Sequence, residues 1–378
     1  LASTGQRSDA RKRPQDSTTA SGGAFVVRLV SAKSALIFAI LLALAVFLQW
    51  QGGAFTADFS ADPDESAHYV TGLMVHDFLL HFPWPGPMAF AQDYYDHYPK
   101  VALGHWPPVF YMAEAAWGLV FSSGRWSMLV LNALFAALLA LTLFEVLQRR
   151  TGAVLAAGAA LVLLSLPLLQ TYLQRVMPEL LVALLMFWAA LAFASFMRGG
   201  RTRPALLFGF LAMAAIMTKP NGIALALLPP IAIVLGWRWD LLRRPGLWLS
   251  GLPTLLVCVP WYWLTLDLIQ RGYAAPNHAG NALLQFPLRN AGYLFAMLGA
   301  LLSILAAIGV GARLLDRRQP GRPDPGVLCL APKQIVNGKC VDPCPPGQIR
   351  QKNGSCKVLN IIVPPKNKRP RRNRQSRG

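Results

Sequence analysis

Hydrophobic positions in this chain fall in long blocks and not in the alternation of strands. Apolar runs cover roughly 34–50, 126–147, 152–170, 180–197, 204–218, 221–236, 246–265 and 290–312. A helix that crosses a bilayer needs about 20 predominantly apolar residues, and most of these runs approach that length. They predict an all-α polytopic membrane protein with about eight transmembrane helices. A further segment, 106–122 (WPPVFYMAEAAWGLVFS), is apolar enough to cross but is framed by Trp106, Trp117 and Trp126. It reads as an amphipathic helix lying at the membrane interface.

Charge orients these runs. Arg149 and Arg150, then Arg198, Arg201 and Arg203, then Arg238, Arg243 and Arg244, then Arg313, Arg317 and Arg318 lie between alternate pairs of runs. If each run crosses once and 106–122 does not, all four clusters fall in the cytoplasm, as the positive-inside bias requires. The 51–126 loop, with eight Asp/Glu against two basic residues (net −6), then lies outside. So do the turn at 170–179, the turn around Lys219 and the loop 266–289. A signal-peptide reading of the first run, with AFTA at 54–57 as cleavage site, leaves this topology unchanged.

Composition agrees with the pattern: 54% apolar residues, 14% charged and a mean hydropathy of +0.40 exclude an ordinary soluble domain. The net charge of +19 sits at the ends. Residues 1–33 carry six Lys/Arg and two Asp (net +4), and residues 313–378 carry sixteen Lys/Arg and three Asp (net +13). Three regions follow: a basic, disordered cytoplasmic N-tail (1–33), a transmembrane domain (34–312) and a basic tail (313–378). Anionic membrane lipids are the expected partners of such tails; no specific nucleic acid is expected.

That last tail has its own pattern. Residues 329–340 (CLAPKQIVNGKC) and 344–356 (CPPGQIRQKNGSC) are two copies of one Cys-bounded motif with a central Asn-Gly, a strong hairpin-turn signal. Each copy reads as a small β-hairpin closed by its own pair, Cys329–Cys340 and Cys344–Cys356. A four-Cys zinc site is the rival, although only Cys340 and Cys344 have close ligand spacing. Disulfides require an oxidising compartment, whereas the count of spans puts the tail in the cytoplasm. Either a span is miscounted, or the cysteines are reduced, or a foreign segment is joined near Pro320–Gly326.

Chemistry concentrates on the outer set. In ADPDESAHYVTGLMVHDFL (61–79), Asp62, Asp64 and Glu65 open a helical pattern just beyond the first span. Capping alone explains acidic residues there, but a carboxylate at the membrane surface also suits a general base or metal ligand. Arg175 and Glu179 stand four apart, either as a helical ion pair or, given Pro178, in a turn. Lys219 joins two runs of about 15 residues, so its ammonium lies near the apolar layer, where it must snorkel or be paired. His105 precedes the interfacial helix.

The order PDE after the first span, H-x-PP-x-x-Y (His105 to Tyr111), Arg125 at the head of a span, R-x-x-PE (175–179) and TK (218–219) resembles the GT-C superfamily of membrane glycosyltransferases. Its protein O-mannosyltransferases and lipid A aminoarabinose transferases are the most similar branches. The resemblance covers roughly 34–312. It implies a GT-C-like core whose outer-face loop carries interfacial helices. It also implies transfer of a sugar, with inversion, from a polyprenyl-phosphate carrier to a glycan, lipid or protein acceptor outside a bacterial-type inner membrane.

By matching position, Asp64, with Glu65 beside it, takes the catalytic carboxylate's place and Glu179 that of a second acidic residue, usually Asp. His105 stands where relatives have an acid or His before the double proline. Lys219 and Arg175 resemble residues facing the carrier phosphate, and His278 resembles a histidine of the later outer loop. Trp106 departs from the pattern, since some relatives have Lys there, and relatives generally continue with further spans beyond 312. A divalent cation is a candidate cofactor, with Asp64, Glu179 and His105 as candidate ligands. Two other classes fit the hydrophobic pattern: a transporter or flippase of a lipid-linked molecule, centred on Lys219, or a non-catalytic anchor presenting the Cys-repeat tail. A transporter needs no carboxylate at Asp64, and an anchor needs neither residue.

Overall fold

The computed structural model describes residues 31–59, 62–82, 86–102 and 104–272 and short stretches beyond, notably 334–336, 339–341, 348–350 and 356–358. The chain divides into two compact units, Leu1–Leu298 and Gly299–Gly378. The first is helical throughout its described part. Helix α1 (Ala32–Gln51) is followed by α2 (Pro63–His81), α3 (Pro87–His97) and α4 (Val109–Val120), and then by the long α5 (Arg125–Thr151). Next come α6 (Ala153–Ser165), α7 (Pro167–Leu173), α8 (Glu179–Gly199) and α9 (Thr202–Ile216). A 3-10 turn (Pro220–Leu227) leads into α10 (Leu228–Gly236), and α11 (Pro245–Leu249) and a π turn (Thr254–Cys258) lead into α12 (Val259–Gly272).

Proline sets the interruptions. Pro167 cannot continue α6, and α6 and α7 meet at 63°, as the lost amide and ring clash require. Pro220, Pro229 and Pro230 break the run after Lys219 in the same way. Helix α5 is the central post, packed on α1, α6 and α8. Its alanines 133, 136, 137 and 140 are fully buried, and small residues of this kind let helices approach closely where no hydrophobic drive exists between them. Helix α8 packs along α9, with Phe193 and Phe208 in ring contact at 4.9 Å.

Four stretches, Ala32–Gln51, Arg125–Thr151, Glu179–Gly199 and Pro245–Ile269, are long and apolar enough to cross a membrane, and the bent α6–α7 pair makes a fifth. Helix α9 and Pro220–Gly236 are shorter apolar stretches. Seven of the eight expected runs thus coincide with apolar helical segments; the eighth, 290–312, lies largely outside the described residues. Helix α4 has 12 residues and is about 18 Å long at 1.5 Å per residue, too short for a hydrocarbon core of about 30 Å. It fits the interfacial reading of 106–122.

The two ends of the bundle differ in chemistry. At one end the Ser34 hydroxyl donates to Glu145 Oε1 at 2.8 Å, and Arg238 donates to the Met197 carbonyl, which brings the 238–244 arginines to the α8–α9 turn. Arg149, Arg150, Arg198, Arg201 and Arg203 belong to that end. The opposite end gathers the close of α1, the starts of α2, α5 and α8, and Lys219, which is the set that arginine parity placed together.

The second unit contains two antiparallel hairpins, β1 (Gln334–Val336) with β2 (Lys339–Val341) and β3 (Gln348–Arg350) with β4 (Cys356–Val358). Val336 faces Lys339, which leaves Asn337 and Gly338 between the strands. Cys344 is disulfide-bonded, so it is not available to a zinc site. Cys329 lies outside the described residues, as do residues 1–30 and His278.

Candidate active site

Helix α2 begins as the sequence predicts. Asp62 caps it, accepting the Asp64 amide at 3.2 Å, and Pro63 occupies the first turn. The same cap holds a second partner: Arg175 Nη1 donates to Asp62 Oδ2 at 3.1 Å, with both side chains 30% exposed. The capping role thus belongs to Asp62, and Asp64, in the first turn, is exposed.

Glu65, the other catalytic candidate, is fully buried. Arg125 Nη2 donates to its Oε1 at 2.8 Å, and the Val176 amide donates to the same oxygen at 3.2 Å. Its carboxylate is a bolt joining the start of α2 to the start of α5 and to the turn before α8. Arg125 also donates to the Ala54 and Ala57 carbonyls and lies 5.3 Å from the Phe59 ring centroid. One guanidinium therefore shapes the chain that leaves α1.

Arg175 and Glu179 are not a helical pair. Pro178 starts α8 at Glu179 and leaves Arg175 in the preceding turn, so each turns to a different partner. Glu179 Oε1 accepts from Lys219 Nζ. The pair is 24% exposed at Lys219 and 16% at Glu179, and Glu179 Oε2 is buried with no other partner. Of the two expectations for Lys219, snorkelling or pairing, the structure shows a pair with a protein carboxylate.

Helix α2 also carries a member of an aromatic cluster that the motif reading did not find. His68, 2% exposed, meets the Tyr111 hydroxyl through Nδ1 at 2.8 Å and stacks against Trp106 with centroids 4.2 Å apart. Burial first, and then the charge of Lys219, lower its pKa to about 3, so the imidazole is neutral. Lys219 is therefore near the cluster, and Tyr172 lies within electrostatic reach of Glu179, Lys219, Asp62 and Arg175. Burial raises the Tyr111 phenol well above its usual range, with the charges of Glu114 and Asp64 adding to the effect. At position 106 the chain places an indole ring against a neutral histidine.

Glu114 is 1% exposed, with neither oxygen hydrogen-bonded, and burial raises its pKa well above the usual carboxylate range. It faces Gly72 of α2, where an added Cβ would come within 2.5 Å of Oε2. The glycine is what lets α2 and α4 close on each other. An isolated acid inside an apolar segment, at the cost such burial carries, is the one sequence signal that marks it.

Arg125 and Arg175 share a cleft of about 320 Å³ lined by Gly52, Ala57, Asp58, Gln170 and Gln174 among others. His105 sits beside Trp106, its ring edge-on at 5.1 Å. Among the described residues no three His, Cys, Asp or Glu side chains converge on a point that could hold a metal ion. Asp64, Glu179 and His105, the candidate ligands, do not gather as such a group, and Glu179 is paired with Lys219. Positive charge at this end comes from Lys219, Arg125 and Arg175.

Residues 105–263 match the family described as dolichyl-phosphate-mannose-protein mannosyltransferase. The match takes in less than half of the chain. The matched segment takes in His105, Arg125, Arg175, Glu179 and Lys219, and it begins after Asp64 and Glu65. Among solved structures the chain is similar to ArnT from Cupriavidus metallidurans bound to undecaprenyl phosphate, at 19% identity and a TM-score of 0.46 over 74% of this chain and 50% of that one. It is also similar to the same protein in the apo state, at 20% identity and a TM-score of 0.48 over 71% and 50%. The chain spans about half the length of those structures. No curated protein matches it.

Proposed function

We propose that this GT-C chain transfers a sugar from a polyprenyl-phosphate carrier to an acceptor hydroxyl at the outer surface of a bacterial-type inner membrane, with inversion. The observation that carries the reading is the placement of Asp64. It is an exposed carboxylate on the first turn of a helix whose cap is tied to Arg175, at the same bundle end as Lys219. The matched family's description, with its dolichyl-phosphate-mannose donor, supports the class of carrier.

In this reaction Asp64 takes the acceptor proton as the oxygen forms its bond to the anomeric carbon. The bond from that carbon to the phosphate oxygen breaks on the opposite face, and the polyprenyl phosphate leaves with the electron pair. Its developing charge needs preorganised cations. Lys219 and Arg175 fill that need, each exchanging a carboxylate of the protein, Glu179 or Asp62, for the phosphate. The neutral His68 leaves the cationic field to these two residues, and the buried Glu65 keeps the turn that carries Arg175 against α2.

The test is transfer of a radiolabelled sugar from its undecaprenyl phosphate carrier by the purified full chain in nanodiscs, with Asp64→Asn as control. Product formation that Asp64→Asn lowers by about 10²–10⁴, the usual contribution of a general base, supports the reading. Carrier movement across the bilayer without a broken glycosidic bond would instead make the protein a transporter.

A further inference from the structure

Two amides buried within the spans point at one short piece of backbone. Gln49 of α1, fully buried, donates through Nε2 to the Leu129 carbonyl at 2.6 Å and to the Leu173 carbonyl at 2.7 Å. Asn132 of α5, 1% exposed, donates through Nδ2 to the Arg175 carbonyl. The Val176 amide completes the set by donating to Glu65. Residues 173–176 are thus strapped to α1, α5 and α2 in turn.

The strap is costly. Polar side chains inside apolar helices are rare and commonly functional, and each amide leaves its acyl oxygen, Gln49 Oε1 or Asn132 Oδ1, buried without a partner. Apolar residues would fill these positions without that cost. What the amides do fix is the backbone of Arg175. Its side-chain ion pair with Asp62 is partly exposed on both sides, and such pairs contribute little on their own. The direction of the guanidinium is therefore set from behind.

We propose that Gln49 and Asn132 are positioning residues that hold the 173–176 strap so that Arg175 stands between the Asp62 cap and the adjoining cleft. What Arg175 does there rests on the proposed transfer reaction; the strap itself does not. Losing either amide lets the turn slide, and Arg175 then leaves Asp62 although every spanning helix stays in place.

The experiment uses the full chain in nanodiscs with Gln49→Leu, Asn132→Leu and Asn132→Val, none of which can donate from the substituted side chain. Hydrogen exchange at the Val176 amide should speed up at least tenfold in all three, while the interiors of α5 and α8 stay protected. Transfer efficiency (kcat/KM) should fall by 10- to 100-fold in an otherwise native chain but by less than twofold in an Arg175→Gln background, since a residue acting only through Arg175 has nothing left to position. Asn132→Ser, which keeps a donor, should retain part of both properties. Equal losses in the two backgrounds, unchanged exchange at Val176, or global loss of protection in every variant including Asn132→Ser would each overturn the proposal. If the native chain transfers no sugar from undecaprenyl phosphate, the transfer reading fails while the exchange result still decides the strap.

Discussion

At the scale of single residues, position relative to a helix start separates roles that one sequence motif runs together. In Pro63-Asp64-Glu65 and the preceding Asp62, three carboxylates lie within four positions, yet Asp62 caps, Asp64 is exposed and Glu65 is locked under Arg125. Asp64→Asn should leave insertion and abundance near normal, because the cap is Asp62, and should abolish most transfer activity; a poorly folded protein with normal activity per molecule would speak for a structural role instead. Glu65→Gln should do the reverse and lower abundance, because it leaves Arg125 without its charge partner. The Lys219–Glu179 pair alters the expectation for Lys219. Lys219→Met would strand a largely buried carboxylate at a cost of about 3 kcal/mol, the low end for broken buried pairs. The double variant Lys219→Met with Glu179→Gln should recover most of that stability, measured as the thermal midpoint, without recovering donor use, measured as the KM for the lipid-linked sugar. A Lys219→Met protein as stable as wild type would mean the pair contributes nothing in this setting.

At the scale of elements, the apolar blocks were legible because a bilayer imposes one length and one composition on whatever crosses it. Pro178 marked a turn for an equally general reason, the missing amide, whereas the bend at Pro167 falls inside the run read as 152–170. Pairing between elements was not legible. Nothing in the spacing of Arg175 and Glu179 says that one turns to Asp62 and the other to Lys219, and His68, Tyr111 and Trp106 meet only because α2 lies on α4 across Gly72. That α2–α4 contact makes its own prediction. His68 has a folded pKa of about 3 against an ordinary 6.5, so the unfolded chain takes up the proton first as pH falls. The stability that the neutral imidazole contributes is complete above about pH 6.5 and is lost progressively toward pH 3. Between pH 7 and pH 4.5 the thermal midpoint of the native chain should therefore drop more steeply than that of His68→Phe; parallel curves would show that His68 titrates normally.

At the scale of the whole molecule, the two ends of the bundle divide the charge, with the arginine clusters of 149–150, 198–203 and 238–244 at one and the acidic site, with Lys219, Arg125 and Arg175, at the other. We propose, on the positive-inside bias, that the site faces outside. Cysteine labelling in intact cells should reach positions near 90 and 175 from outside and positions near 150, 200 and 242 only after permeabilisation. External labelling at 150 would mean that the α4 segment crosses, and the outer set would have to be redrawn. The disulfide at Cys344 bears on the remaining stretch. A disulfide persists in an oxidising compartment, whereas eight single crossings from a cytoplasmic N-terminus return the tail to the reducing side. Seven crossings bring the chain out after α12, so an external tail requires that 290–312 not cross and places Arg313, Arg317 and Arg318 outside, against the bias that orients the other three clusters. A cysteine introduced at Gln319 in a chain with its other cysteines replaced by serine should accordingly label from outside, at the same rate as one at position 90. Labelling only after permeabilisation would restore the eighth span and put the Cys344 disulfide in the cytoplasm, where thiol reductants should break it during growth.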